Sequence, residues 1–137
     1  MTICDISHII YNKGGRLIKD NNMQIKVLFY KTENGEQPAL NFLNALDVKM
    51  RAKMLHTIEF LQEYGPELRE PHSKPLGDGL FELRAQVGSD ISRVVYFFFV
   101  GRRAILTNGF IKKTQKTPKS EIALAKKYRD DYLHREV

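Results

Sequence analysis

Three hydrophobic runs separated by very short breaks constrain this chain most. They are "LFELRAQV" (80–87), "ISRVVYFFFV" (91–100) and "RAILTNGF" (103–110). The breaks, Gly88-Ser89-Asp90 and Gly101-Arg102, are too short for a crossover, so the runs predict an antiparallel meander. The first run alternates, which puts Phe81, Leu83, Ala85 and Val87 on one face and Leu80, Glu82, Arg84 and Gln86 on the other. The middle run is almost wholly apolar. That pattern suits a central strand covered on both faces, with Phe97, Phe98 and Phe99 in the core.

The segments around the meander supply the covering layers. "QIKVLFYK" (24–31) is β-branched and aromatic, and reads as a strand. After the break "TENGEQP", Pro38 stands in the first turn of a helix whose apolar positions are Ala39, Phe42, Leu43 and Leu46. Asp47 ends or re-caps it. A second helix carries Met50, Met54, Ile58 and Leu61 on one stripe and stops before Gly65-Pro66. Lys49, Arg51, Lys53 and Glu59 lie off that stripe, so the two helices form a hairpin with one apolar side. "ELREPHSKPLGDG" (67–79) holds two prolines and two glycines and reads as a long loop. Thr117 as cap and Pro118 at the first helical position open a last helix. Its apolar side is Ile122, Ala125, Tyr128 and Tyr132, the two tyrosines docking it on the sheet. The expected class is α+β, in the order β-α-α-β-β-β-α. Residues 1–22 read as an N-terminal extension, with a hairpin across Lys13-Gly14-Gly15 as one candidate structure. Residues 23–137 read as a single domain.

Charge narrows the partners. A net charge of +6 and a pI of about 9.5 favour polyanions, meaning nucleic acid, an acidic protein or anionic lipid. The single cysteine, Cys4, permits no internal disulfide and reads as a reduced thiol. No Cys/His cluster has zinc spacing, so no metal is expected. No apolar run reaches the ~18 residues of a membrane span, and the N-terminus lacks the pattern of a secretory signal. The expected location is the cytoplasm.

Two arginines draw attention on the sheet. If the loop after Val87 is a short even-numbered turn, Arg84 lies directly across from Arg93. Like charges across a ladder repel. Either Glu82, on the same face, neutralises them, or they share an anion, for which phosphate is the natural choice. The run from 101 to 120 adds Arg102, Arg103, Lys112, Lys113, Lys116 and Lys119 with no acid. It starts where an edge of the meander ends, so it is expected to fold back beside the arginine face. With Phe110 and hydroxyl side chains interleaved, it has the mix that holds single-stranded RNA through stacking and phosphate contacts. His72 lies in the loop between prolines, and His56 and His134 read as surface residues. Tyr96 reads as sheet packing.

Together, "KPLGDGLFELR", "SRVVYFFF" and "ILTNGFIKKTQKTPKSEIALA" resemble the RelE/HigB toxins of type II toxin–antitoxin systems, most of all the branch first noticed in phage genomes. The resemblance covers roughly residues 24–130. It implies a RelE-like fold, with a mostly antiparallel sheet, an N-terminal helical hairpin packed against it and a C-terminal helix. It implies a cytoplasmic endoribonuclease (an mRNA interferase) that cuts messenger RNA on the ribosome. It further implies a helix-turn-helix, HigA-like antitoxin through which the pair meets operator DNA. Arg84 matches the family's phosphate-contacting arginine, Lys74 its basic loop with His72 beside it, and Arg93 a basic position on the next strand. Lys112 and Lys113 fall where other members carry arginine, histidine or tyrosine. The expected catalytic set is Arg84, Arg93, Lys74, Lys112 and Lys113. The expected RNA-binding set is Lys116, Lys119, Phe110, His72, Arg102 and Arg103. Attack of a ribose 2′-OH on the adjacent phosphorus needs a proton acceptor, cations for the phosphorane and a proton donor, and no cofactor. Two rivals stand beside this reading, a ParE-like gyrase inhibitor of the same fold and a non-enzymatic basic module that binds RNA or protein.

Overall fold

The computed structural model describes residues 9–11, 17–19, 24–112 and 116–136. In the extension, strands β1 (Ile9–Tyr11) and β2 (Leu17–Lys19) pair antiparallel as a separate two-stranded sheet. The turn expected between them lies outside the described residues.

The main sheet has five strands in the order β3-β7-β6-β5-β4. Strand β3 is Lys26–Phe29, β4 Ser73–Gly77, β5 Leu80–Val87, β6 Asp90–Phe99 and β7 Arg103–Lys112. The fold is α+β with a mostly antiparallel sheet, as expected. The apolar run is its middle strand, and Val94, Val95, Tyr96 and Phe97 are all buried. Two departures from the sequence reading matter. First, β7 is not an edge, because β3 lies parallel to it, from Lys26 opposite Arg103 to Phe29 opposite Leu106. Second, the expected loop 67–79 contains β4, which pairs with β5 from Ser73 opposite Leu83 to Gly77 opposite Leu80. Pro75 is tolerated because β4 is an edge strand. Asp78 and Gly79, with φ of 56° and 79°, form the tight turn that an Asp-Gly pair favours in a two-residue hairpin.

The helical hairpin covers one face. Helix α1 (Pro38–Ala45) starts at its proline, and α2 (Val48–Tyr64) is capped by Asp47, whose Oδ1 accepts from the Met50 amide at 2.8 Å. Arg51, off the apolar stripe, folds back to donate to the carbonyls of Leu43, Asn44 and Leu46 at the end of α1. It thereby closes the hairpin by satisfying orphaned acceptors. Gly65 ends α2 at φ 54°, and a Cβ there would lie 2.8 Å from Ile25. Met50, Met54, Ile58 and Leu61 pack on Leu83, Ala85, Val94, Tyr96 and Leu106. Helix α3 (Lys119–Glu136) covers part of the other face, over Leu80, Val95, Phe97, Ile105 and Phe110. Tyr128 stacks on Tyr30, and Tyr132 meets Phe97 and Phe99 edge-on. Among the described residues, no helix is long and apolar enough to cross a membrane.

Candidate active site

Toward the β5–β6 turn, the sheet face that carries helix α3 changes from apolar to charged side chains. The ladder there puts Arg84 opposite Arg93 and Glu82 opposite Val95. On the other side of β6, Phe110 stands opposite Arg93 and Lys112 opposite Ile91. On the other side of β5, Lys74 stands opposite Glu82. Directly opposed residues share a face, so Lys74, Glu82, Arg84, Arg93, Phe110 and Lys112 all belong to this one.

Glu82 organises the cluster. It is fully buried, and its Oε2 lies 3.1 Å from Arg84 Nε and 3.9 Å from Arg93 Nη1. Its Oε1 accepts a hydrogen bond from the Thr117 hydroxyl. That hydroxyl in turn accepts from Arg93 Nη1 at 3.3 Å. The two arginines therefore converge on a carboxylate supplied by the protein itself. Burial holds Arg93 below the usual arginine range, Glu82 opposes that shift and Arg84 adds to it. Arg93 is 0% exposed and also lies 5.9 Å from the centre of the Phe110 ring. Enclosed on every side, it holds its neighbours in place and does not present itself to solvent. Arg84 keeps 12% of its side chain exposed and is the more exposed of the two.

Thr117 differs from its expected use. The hydroxyl turns into the Glu82–Arg93 cluster, and the first helical bonds of α3 go from the amides of Glu121 and Ile122 to the Pro118 carbonyl. A Thr-Pro pair is a strong local cap signal, but a buried carboxylate is the better acceptor once tertiary packing brings it near. Phe110 is buried against Arg93, with no free ring face for a base. Tyr96 is likewise enclosed on the opposite face, hydrogen-bonded to Ser73 at 2.6 Å, and burial pushes its hydroxyl up to about 12.

The remaining cations separate into two groups. Lys74 is half-buried, and Lys112, Lys116 and Lys119 are exposed, Lys116 next in sequence to Thr117 of the cluster. Lys113 lies outside the described residues. Arg102 and Arg103 lie at the far end of the sheet. Arg103 pairs with Phe99, six residues along β6 from Arg93, or about 20 Å at the usual rise per residue. Arg103 is occupied by Glu136 and Tyr132, each at 3.2 Å, and by the Phe99 ring. The basic run 101–120 therefore does not gather as a whole. A ten-residue strand carries its first arginines away from its last lysine.

His72 sits at the edge of β5. Its carbonyl accepts from the Arg84 amide at 2.9 Å, while its ring packs 4.7 Å from that of Phe60 in α2. Among the described residues, no group of three or more His, Cys, Asp or Glu side chains is placed to hold a metal ion.

No curated sequence matches the chain significantly. A solved structure, the archaeal RelE–RelB complex from Pyrococcus horikoshii OT3, aligns with 69% of this chain and 100% of its own, at 18% identity and a TM-score of 0.45. The family model described as Phage derived protein Gp49-like (DUF891) matches residues 41–130. That span runs from α1 through most of α3 and includes every residue of the Glu82–Arg93–Thr117 cluster, so the chain belongs to the phage-derived Gp49-like family.

Proposed function

We propose that this protein is the toxin of a type II toxin–antitoxin pair and acts as a metal-independent endoribonuclease on messenger RNA held by the ribosome. One observation carries the reading: Arg84, the more exposed of two guanidiniums paired with the buried Glu82, shares a sheet face with Lys74 and Lys112. A preorganised cation aimed at a developing phosphorane is worth more than a mobile one, because it needs no rearrangement when the charge appears.

In this mechanism the ribose 2′-oxygen attacks the adjacent phosphorus. The 2′-O–P bond forms as the P–O5′ bond breaks, leaving a 2′,3′-cyclic phosphate and a 5′-hydroxyl. Arg84 stabilises the phosphorane. Lys74 and Lys112, or Lys113 beside it in sequence, accept the 2′ proton and return one to the leaving oxygen. Arg93, together with Glu82 and Thr117, acts as a positioning residue. Lys116 and Lys119 hold flanking phosphates. The ribosome supplies the alignment that lets such weak acid–base groups suffice. The partner that silences the toxin is a HigA-like antitoxin, through which alone the pair meets operator DNA.

The test is primer extension on a translated message. Wild-type protein is expected to cut within codons, and Arg84→Ala to lose activity by a factor on the order of 10²–10³ with an unchanged far-UV circular-dichroism spectrum at the assay temperature. Undiminished cutting by the variant removes the phosphate role. Loss of supercoiling with no cutting points to a gyrase inhibitor, and neither effect leaves a binding module.

A further inference from the structure

A groove of about 510 Å³ opens beside the candidate active site, between α2 and the free edge of β5. It exists because β4 is shorter than β5. Their pairing begins at Ser73 opposite Leu83, with one further bond from the Arg84 amide to the His72 carbonyl. Beyond that point β5 has no strand on its β4 side, and Lys53 of α2 donates to the Gln86 carbonyl at 2.6 Å instead. Arg84 therefore belongs to the charged sheet face and lines this groove at once.

The lining is specific in kind. Phe60 of α2 lies between two imidazoles, with His56 at 4.6 Å and His72 at 4.7 Å between ring centres. Lys53 and Arg84 supply cations, and Glu70 is an acceptor in the lining. Flat rings with cations beside them match a nucleotide, whose base stacks while its phosphate meets the charges. A carboxylate suits an exocyclic amino group. The volume is that of a small-molecule site, ~300–1,000 Å³.

We infer that this groove is a nucleobase subsite, holding a base of the RNA strand next to the linkage at Arg84, with His56, Phe60 and His72 as the stacking wall. The inference rests on the nuclease reading above and assigns a binding role to α2. It gives the enzyme a contact with a base as well as with the phosphate chain.

The test uses full-length protein and two labelled single-stranded probes. One is a 2′-fluoro RNA 12-mer, which lacks the attacking hydroxyl and so cannot be cut. The other is an abasic ribose-phosphate chain of the same length. Phe60→Ala risks unfolding, so the variants are His56→Ala and His72→Ala, checked by thermal melting. Each is expected to weaken binding of the base-bearing probe about tenfold, the scale of one lost stacking contact, and to leave the abasic chain unchanged. Arg84→Ala is expected to weaken both probes. If the wild type binds the 12-mer and both histidine variants bind it equally well, the subsite is overturned and the groove is left to a protein segment. Equal weakening of both probes also overturns it, in favour of a phosphate contact. A wild type that binds neither probe removes the underlying RNA reading as well.

Discussion

At the scale of single residues, the decisive feature is a buried charge group whose members compensate one another. Arg93 and Glu82 are both fully buried, so each depends on the other. Removing one partner leaves an uncompensated charge, whereas replacing both with apolar groups of similar size often restores much of the loss. Glu82→Ala is therefore expected to destabilise the protein by about 3–5 kcal/mol, and Glu82→Leu combined with Arg93→Met by much less. Urea denaturation of the single and double variants measures this. A Glu82→Ala protein within about 1 kcal/mol of wild type would mean that water or another anion compensates Arg93. The same scale explains Gly109. A Cβ on it would lie 2.2 Å from the Phe42 ring, so the glycine in "NGF" is there because α1 lays an aromatic ring directly on the β7 backbone.

Helix α3 is unusual among the elements. Over its 18 residues only Ala125 is buried, and much of its attachment is polar. Arg129 donates to the Asp78 carbonyl and, at 2.9 Å, to its carboxylate, with Lys126 at 3.6 Å. The Tyr30 hydroxyl donates to Asp131 at 2.6 Å, and Arg135 pairs with the same carboxylate. The Arg129 contact lowers the pKa of Asp78, and the Tyr30 hydroxyl followed by Arg135 lowers that of Asp131. Carboxyl groups depressed in the folded state stabilise it above their ordinary pKa, and that contribution is lost as pH falls through the folded value. Exposed pairs of this kind are individually weak and screened by salt. Asp78→Asn is therefore expected to lower amide protection in α3 severalfold at neutral pH and leave the β6 amides unchanged, as read by hydrogen exchange. Equal loss in both would mean that α3 and the sheet open as one unit. Since Thr117 precedes α3 and sits in the Glu82–Arg93 cluster, the attachment of this helix and the order of the candidate site are physically joined.

For the molecule as a whole, two cores on opposite faces of one sheet set the response to alkali. Tyr96 lies in the core under the helical hairpin and Tyr30 in the core under α3. Burial, joined at Tyr30 by the Asp131 contact, raises both hydroxyls to about 12. An acid whose pKa is raised by folding contributes its stability below the unfolded value, near 10, and loses it as pH rises toward the folded one. Unfolding free energy is thus expected to fall between about pH 10 and 12, by roughly 2 kcal/mol from Tyr96 alone. Urea midpoints across that range measure it, and Tyr96→Phe should flatten the fall. A decline of the same size in Tyr96→Phe would assign it to other groups.

The sequence by itself determined the layers. Alternation in 80–87, a nearly continuous apolar run in 91–100 and helical spacing in 38–64 are each local patterns, and local patterns survive without knowledge of partners. They put Arg84 across from Arg93 only on condition of an even turn after Val87, and left Glu82 as one of two ways to balance the pair; the two-residue turn Gly88-Ser89, with Val87 opposite Asp90, decided the register. Tertiary structure alone decided the rest. The Asp-Gly pair at 78–79 was a legible hairpin signal, but two prolines masked the strand before it. Nothing local places β3 beside β7 or carries Arg103 about 20 Å from Arg93. Nothing local turns Thr117 from a helix cap into a buried ligand of Glu82, or lays His72 against Phe60. Those outcomes depend on which surfaces meet, and a polar side chain takes the strongest partner that packing brings within reach.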